Sequence, residues 1–445
     1  MPGRLEFDLG FGRAGRRRDD DEPMRLLVLG DFSGKAAAER PPLASRPTQR
    51  VDIDTIDAVM KRLAPRLSVP AGEIEFAKLD DFHPDRLYAR LDLFKALRQA
   101  RADPQAGTGD LLGRLLGKPT EPTGAPVATP ASGLDALIRN IVAPYIVKDT
   151  SAQTIPYLQA VDSAIAEQMR TLLHTPAFQS LEGAWRGMHW LISSLELDEN
   201  LQLHLFDVTR EELLADIVGA QGKLTQTALY RALVDRWRNV PGSQGWSALV
   251  GLFDFGPSDA DIGLLAALGL IGSQGGAPLL AGADLALAGD DEGVLARWLA
   301  LRRSEAAPWI GLAAPRVLLR LPYGKDTDPI EAFAFEEFAG SPMHDEFLWG
   351  CGALAATLLI GRGFTARGWG MELGDEREIG DLPAYTFVLD GERKMQACAE
   401  HFLPESELQT LLEAGLIPIA SRRDRNAVVV IRFQSVSNPP APLVW

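Results

Sequence analysis

Met24-Arg25-Leu26-Leu27-Val28-Leu29, ending at Gly30-Asp31, is a nearly continuous apolar run closed by a turn signal. Such a run reads as a central strand buried on both faces, the pattern of a sheet covered by helices on each side. Downstream, residues 34–50 are polar and Pro-rich and read as a loop. Asp54 then opens a helix whose apolar positions, Ile56, Val59, Met60 and Leu63, share one face until Pro65 stops it. Asp80-Asp81-Phe82-His83-Pro84 caps a second helix carrying Leu87, Leu91, Phe94 and Leu97. Upstream, Leu5, Phe7, Leu9 and Phe11 alternate with Glu6, Asp8 and Gly10, the period of a half-buried strand. The charged run 13–22 reads as a tether, so this strand pairs either with its own sheet or with a neighbour's sheet edge.

Residues 102–133 change character: ten Gly and Pro positions from Pro104 to Gly133 stand among Thr, Ala and Asp, a linker with a short helix expected at 110–116. The chain therefore divides into an N-terminal strand and tether (1–22), a first domain (23–101), the linker (102–133), a second domain (134–436) and a Pro-rich tail (437–445). The second domain opens on a helical face of Leu158, Val161, Ile165, Met169 and Leu172. Strands are expected at 201–205, 248–253, 278–281, 316–321, 384–389, 397–402 and 427–433. Helices are expected at 210–218, behind a Thr209/Glu212 capping box, and near 226–238, 259–271, 291–301, 345–362 and 404–414. This alternation predicts an α/β (mixed α+β) fold, mixed sheets flanked by helices.

The 445 residues are 46% hydrophobic, and 45 Lys+Arg stand against 60 Asp+Glu, a net charge of −15. An acidic chain repels nucleic-acid phosphates and anionic membrane surfaces, so no nucleic-acid partner and no direct membrane insertion are expected. Cys351 and Cys398 form neither a disulfide framework nor a thiolate zinc spacing. No apolar export segment follows Arg16-Arg17-Arg18, and the Phe347–Gly361 stretch is too short to span a bilayer. A soluble, cytoplasmic protein is expected.

Catalytic chemistry finds little purchase. Gly30-Asp31-Phe32-Ser33-Gly34-Lys35 imitates a phosphate loop, but only three residues separate its glycines and Ala36 replaces the hydroxyl that would hold magnesium. The six histidines show no metal spacing, and His83 beside Asp80 and Asp81 is explained by helix capping. Asp52, Asp54 and Asp57 suit a helix start, and Glu336-Glu337, set among Phe333, Phe335 and Phe338, invites an arginine partner. We assign no catalytic, cofactor-binding or metal-ligating residues, and expect no cofactor and no enzymatic activity.

Two stretches carry a family resemblance. Gly30-Asp31-Phe32-Ser33-Gly34, Val51-Asp52-Ile53-Asp54 through Leu67, and Leu79-Asp80-Asp81-Phe82 resemble the small subunit of the type VI secretion system contractile sheath. The large subunit is resembled by Leu173–Gln179, Leu181-Glu182-Gly183-Ala184-Trp185-Arg186-Gly187-Met188, Pro315–Leu319 with Arg320-Leu321-Pro322-Tyr323-Gly324-Lys325-Asp326-Thr327, and His344-Asp345 with Leu348-Trp349-Gly350. The chain is thus similar to a fusion of the two subunits. The resemblance implies a phage-tail-sheath-like fold and structural roles for these motif residues. It also implies partners: other sheath subunits, the inner tube protein, baseplate components and a recycling AAA+ ATPase. Strand exchange between neighbours in such sheaths favours Leu5, Phe7, Leu9 and Phe11 as a donated strand.

The family's large subunit continues beyond the point matched by Gln434-Ser435-Val436, whereas here the sequence runs through Asn438-Pro439-Pro440-Ala441-Pro442 to Trp445. The linker stands where the family places helices served by the ATPase. These departures keep open a second role, a cap, adaptor or assembly regulator on a sheath or baseplate. A third, an enzyme or ligand-binding protein on the same fold, has only the carboxylate and histidine clusters behind it.

Overall fold

The computed structural model describes residues 19, 21–69, 72–102, 154–238, 244–289 and 291–445. The expected strand at 5–11, most of the linker and its short helix lie outside these residues. Numbered in chain order, the strands are β1 (Met24–Gly30), β2 (Gln49–Val51), β3 (Arg66–Val69), β4 (Gly72–Glu75), β5 (Leu201–Asp207), β6 (Ala248–Phe255), β7 (Leu279–Ala283) and β8 (Ile310–Ala314). They continue with β9 (Val317–Leu318), β10 (Trp349–Gly350), β11 (Glu378–Ile379), β12 (Tyr385–Leu389), β13 (Glu392–Gln396), β14 (Ile417–Ser421) and β15 (Val428–Val430). Two compact units emerge, one of Met1–Leu63, Gly183–Arg320 and Leu348–Trp445, the other of Ala64–Glu182 and Leu321–Phe347.

The first unit is built on a mixed nine-stranded sheet, ordered β11-β15-β14-β8-β7-β6-β1-β5-β2. All seven residues of β1 are buried, as an apolar strand inside a covered sheet must be. It runs parallel to both neighbours, Met24 opposite Leu201 through Gly30 opposite Asp207 on β5, and Leu26 opposite Ala248 through Leu29 opposite Gly251 on β6. The two sequence segments therefore interleave: the strand from 23–101 lies between two strands from 134–436. Helix α1 (Ile56–Leu63) turns Ile56, Val59 and Met60 inward; its N-terminus is held by Asp52, whose carboxylate accepts the Thr55 N–H at 2.9 Å.

On one face of the sheet a large apolar cluster gathers Leu213 and Ile217, Leu264, Leu265, Leu268 and Ile271, and Trp298 and Leu301. These come from three helices: Arg210–Gly219, closed by the expected Thr209/Glu212 box, Asp259–Gly275, and Glu292–Arg302. A further helix, Gly352–Arg367, packs across β6, β7 and β8 and is buried on all sides from Gly352 to Gly361. It starts seven residues later than the 345–362 pattern suggests, because Trp349 and Gly350 are drawn into a ladder with Val317 and Leu318. That same short ladder is all that forms of the strand expected at 316–321. Residues 397–402 are not a strand; the hairpin β12–β13 precedes them.

The second unit contains the β3–β4 hairpin, the helices Pro84–Arg90, Asp92–Ala102 and Thr154–Leu173, and the segment 321–347. The helix expected across Leu87 to Leu97 breaks at Leu91, which is extended (φ −75°, ψ 135°) and caps the first piece by donating to Leu87. All four predicted apolar residues are nonetheless buried. Phe76 stacks on Phe82 at 4.2 Å, and Phe178 meets both edge-on.

Candidate functional site

In doubly wound sheets ligands bind outside the carboxyl ends of the strands, where the strand order reverses. Here the order reverses at β1, flanked by β5 and β6, and the turn Gly30–Lys35 sits at that end. Its amides are already taken. The N–H groups of Phe32 and Ser33 donate to one Asp207 oxygen at 2.9 and 3.0 Å, and Gly34, left-handed at φ 62°, donates to Asp31 at 2.7 Å. Arg40, 6% exposed, bridges Asp31 (2.6 Å) and Asp207 (3.0 Å). Arg46 clamps Glu212 at 2.8 and 3.0 Å; burial opposes ionisation of that carboxyl, yet the Arg46 bonds, the Thr209 amide and the Arg40 charge hold it below the usual range. Lys35 donates to the Leu63 carbonyl at 2.6 Å. The crevice itself holds the Phe32 ring, fully buried edge-on against Trp185 at 5.4 Å. The groups a nucleotide phosphate would need are engaged internally.

The residues singled out by sequence fall into both units. In the first, the helix Pro176–Ser194 presents Trp185, fully buried, whose indole N–H donates to the Phe32 carbonyl at 2.9 Å. Gly183 lets the Trp349 carbonyl approach, and Gly187 faces Leu354. Burial and the Arg186 charge lower the basicity of His189. Asp54 is exposed; the capping role belongs to Asp52.

In the second unit Leu181 and Glu182 are buried. Asp81 accepts the N–H groups of Ala77 and Lys78 and pairs with Arg90 at 3.0 Å, while Asp80 points to solvent. His83 caps its helix through Nδ1, accepting from Asp85 at 3.2 Å. The Pro322-Tyr323-Gly324 turn is stapled by Glu337, whose carboxylate accepts the Tyr323 N–H at 2.7 Å and whose own N–H returns to the Tyr323 carbonyl. Thr327 Oγ1 donates to the Pro322 carbonyl at 2.5 Å, leaving Lys325 and Asp326 exposed at the tip. The arginine expected beside Glu336-Glu337 is Arg170, and it meets the Glu336 carbonyl rather than a carboxylate. Sequence reading missed the Arg40–Asp207–Arg46–Glu212 network. Only its Thr209/Glu212 box carried a local signal.

Among the described residues no helix is long and apolar enough to cross a membrane. What this geometry provides is a ligand-filled-in crevice, satisfied by the chain itself, and rigidly packed motif residues, the marks of a structural module.

Comparison with known families agrees. Residues 156–437 match the VipB family, described as EvpB/VC_A0108, tail sheath N-terminal domain, and the chain belongs to that family. Residues 3–117 match the family described as type VI secretion system, VipA, VC_A0107 or Hcp2. Over 305 residues the chain is 30% identical to the type VI secretion system sheath protein TssC1 of Pseudomonas aeruginosa, covering 63% of this chain and 61% of TssC1. Over 108 residues it is 29% identical to the sheath protein TssB1 of the same organism, covering 22% of this chain and 62% of TssB1. The chain thus spans less than two thirds of each relative and joins TssB-like and TssC-like segments in one polypeptide.

Proposed function

We propose that this protein is a structural subunit of a type VI secretion sheath, with a phage-tail-sheath-like fold and no catalytic role. It acts in the cytoplasm, assembling with further copies by strand exchange around an inner tube on a baseplate, with a recycling AAA+ ATPase as a further partner. The observation that carries the proposal is the interleaving of the two segments: β1 from the VipA-like part is paired along its length by β5 and β6 from the VipB-like part. A chain so built contains both sheath components already joined. The blocked crevice at the carboxyl end of β1 supports a scaffold rather than an enzyme.

Electron microscopy of the full-length protein, with sedimentation velocity on the same sample, tests this. Tubes or stacked rings are expected. A discrete monomer or small oligomer would assign the chain to capping or adaptor work on a sheath end or baseplate.

A further inference from the structure

The hairpin β12–β13 is a two-stranded sheet, the kind that needs a further strand or a packing partner for stability. Asp390 (φ 55°) and Gly391 (φ 80°) make its two-residue turn, which fixes the register Leu389 opposite Glu392 through Tyr385 opposite Gln396. In that register Thr386, Val388, Arg393 and Met395 occupy the pairs whose N–H and C=O groups point away from the partner strand. Among the described residues no backbone hydrogen bond reaches those outward groups. The face they share is apolar and open: Val388 is 66% exposed and Met395 54%. An open edge with exposed apolar side chains is a template for another strand.

We propose that the outer edge of β13 is the acceptor for residues Leu5–Leu9 of a second copy of this chain, an inference that rests on the sheath reading. The donor's alternation matches the acceptor. Placed antiparallel with Phe7 opposite Met395, it sets Leu5, Phe7 and Leu9 on the face of Val388 and Met395. Asp8 then falls opposite Lys394 on the other face, a favourable cross-strand charge pair. Every copy carries one donor and one acceptor, so the pairing is head-to-tail and extends without closing.

The test uses full-length protein and sedimentation velocity. Met395→Pro removes an outward N–H while leaving the hairpin's own ladder intact, and it should abolish assembly with unchanged thermal unfolding. The donor variant Phe7→Asp/Leu9→Asp should do the same. An equimolar mixture of the two should sediment as a dimer and no further, because one working donor meets one working acceptor. Lys394→Glu should weaken assembly and Asp8→Lys in the same chain should restore it, which separates lost pairing from misfolding. If Met395→Pro assembles normally while the donor variant does not, strand exchange stands and this acceptor is wrong. If both assemble normally, the strand-exchange reading itself falls. A mixture that stays monomeric, or a wild-type chain that never associates, overturns donation to a second copy.

Discussion

The indole N–H of Trp185 donates to the main-chain carbonyl of Phe32 at 2.9 Å, and the two rings meet edge to face at 5.4 Å. The residues are 153 positions apart and belong to the TssC-like and TssB-like segments respectively. Both are fully buried, so the bond is made where water cannot replace it. Trp185→Phe keeps most of the apolar contact but orphans the Phe32 carbonyl. A loss of about 1–3 kcal/mol is expected, read as a lower urea midpoint. A midpoint equal to wild type would mean that the carbonyl finds another donor.

The strand pairing sets a second expectation. Without β1, seven positions of β5 and four of β6 lose their partner, and Leu26–Leu29, none of them exposed, leave the core. A fragment starting at residue 134 should therefore be insoluble alone and recovered in soluble form when residues 1–102 are co-expressed. Cutting the intact protein at a protease site placed within 103–133 should leave both pieces together on gel filtration. A soluble, cooperatively melting 134–445 fragment would contradict this.

How much of this was legible beforehand depends on where the deciding contacts lie. β1 could be read because its burial on both faces leaves a contiguous apolar signature, and the Thr209/Glu212 box because its partners are three residues apart. The break at Leu91 could not, since Leu87, Leu91, Phe94 and Leu97 keep helical spacing across it. β13 was invisible because Glu392-Arg393-Lys394 carries no apolar alternation; its conformation follows from the Asp390-Gly391 turn and from β12. The Arg40–Asp207 pair spans 167 residues, and nothing local marks either as the other's counter-charge. The late start of the helix Gly352–Arg367 likewise reflects a ladder with residues more than 30 positions upstream.

Two glycines on that helix's contacts separate soft from hard packing. A Cβ on Gly352 would lie 2.5 Å from the Ala313 carbonyl oxygen and 3.1 Å from that of Pro315, both main chain. A Cβ on Gly187 would lie 2.6 Å from the end of the Leu354 side chain, which can turn away. Gly352→Ala should therefore cost more than Gly187→Ala, with overpacking of about 1–3 kcal/mol or more at position 352. Thermal unfolding of the two variants decides the order, and equal losses would show that the strand carrying Ala313 yields as readily as a leucine.

His204 gives the fold a pH dependence whose sign can be worked out. It is 7% exposed on β5, edge-on to Trp246 at 5.1 Å. Burial, then the charges of Arg25 and Arg50, push its pKa down to about 3 from 6.5. Arg25 is itself fixed nearby, its guanidinium 4.5 Å from the centres of both Trp237 and Trp246. Between those two pKa values the unfolded chain binds a proton that the folded chain refuses, so stability falls as pH drops through this window. The slope approaches 1.36 kcal/mol per pH unit, or about 2 kcal/mol between pH 6.5 and 5. His204→Leu removes the titrating group while keeping an apolar side chain in the site. Its urea midpoint should gain on wild type steadily as the pH is lowered from 7 to 5, whatever the offset at pH 7. Parallel midpoint curves for the two proteins would mean that the imidazole accepts its proton in the folded state, and that Arg25 and Arg50 do not act on it as placed.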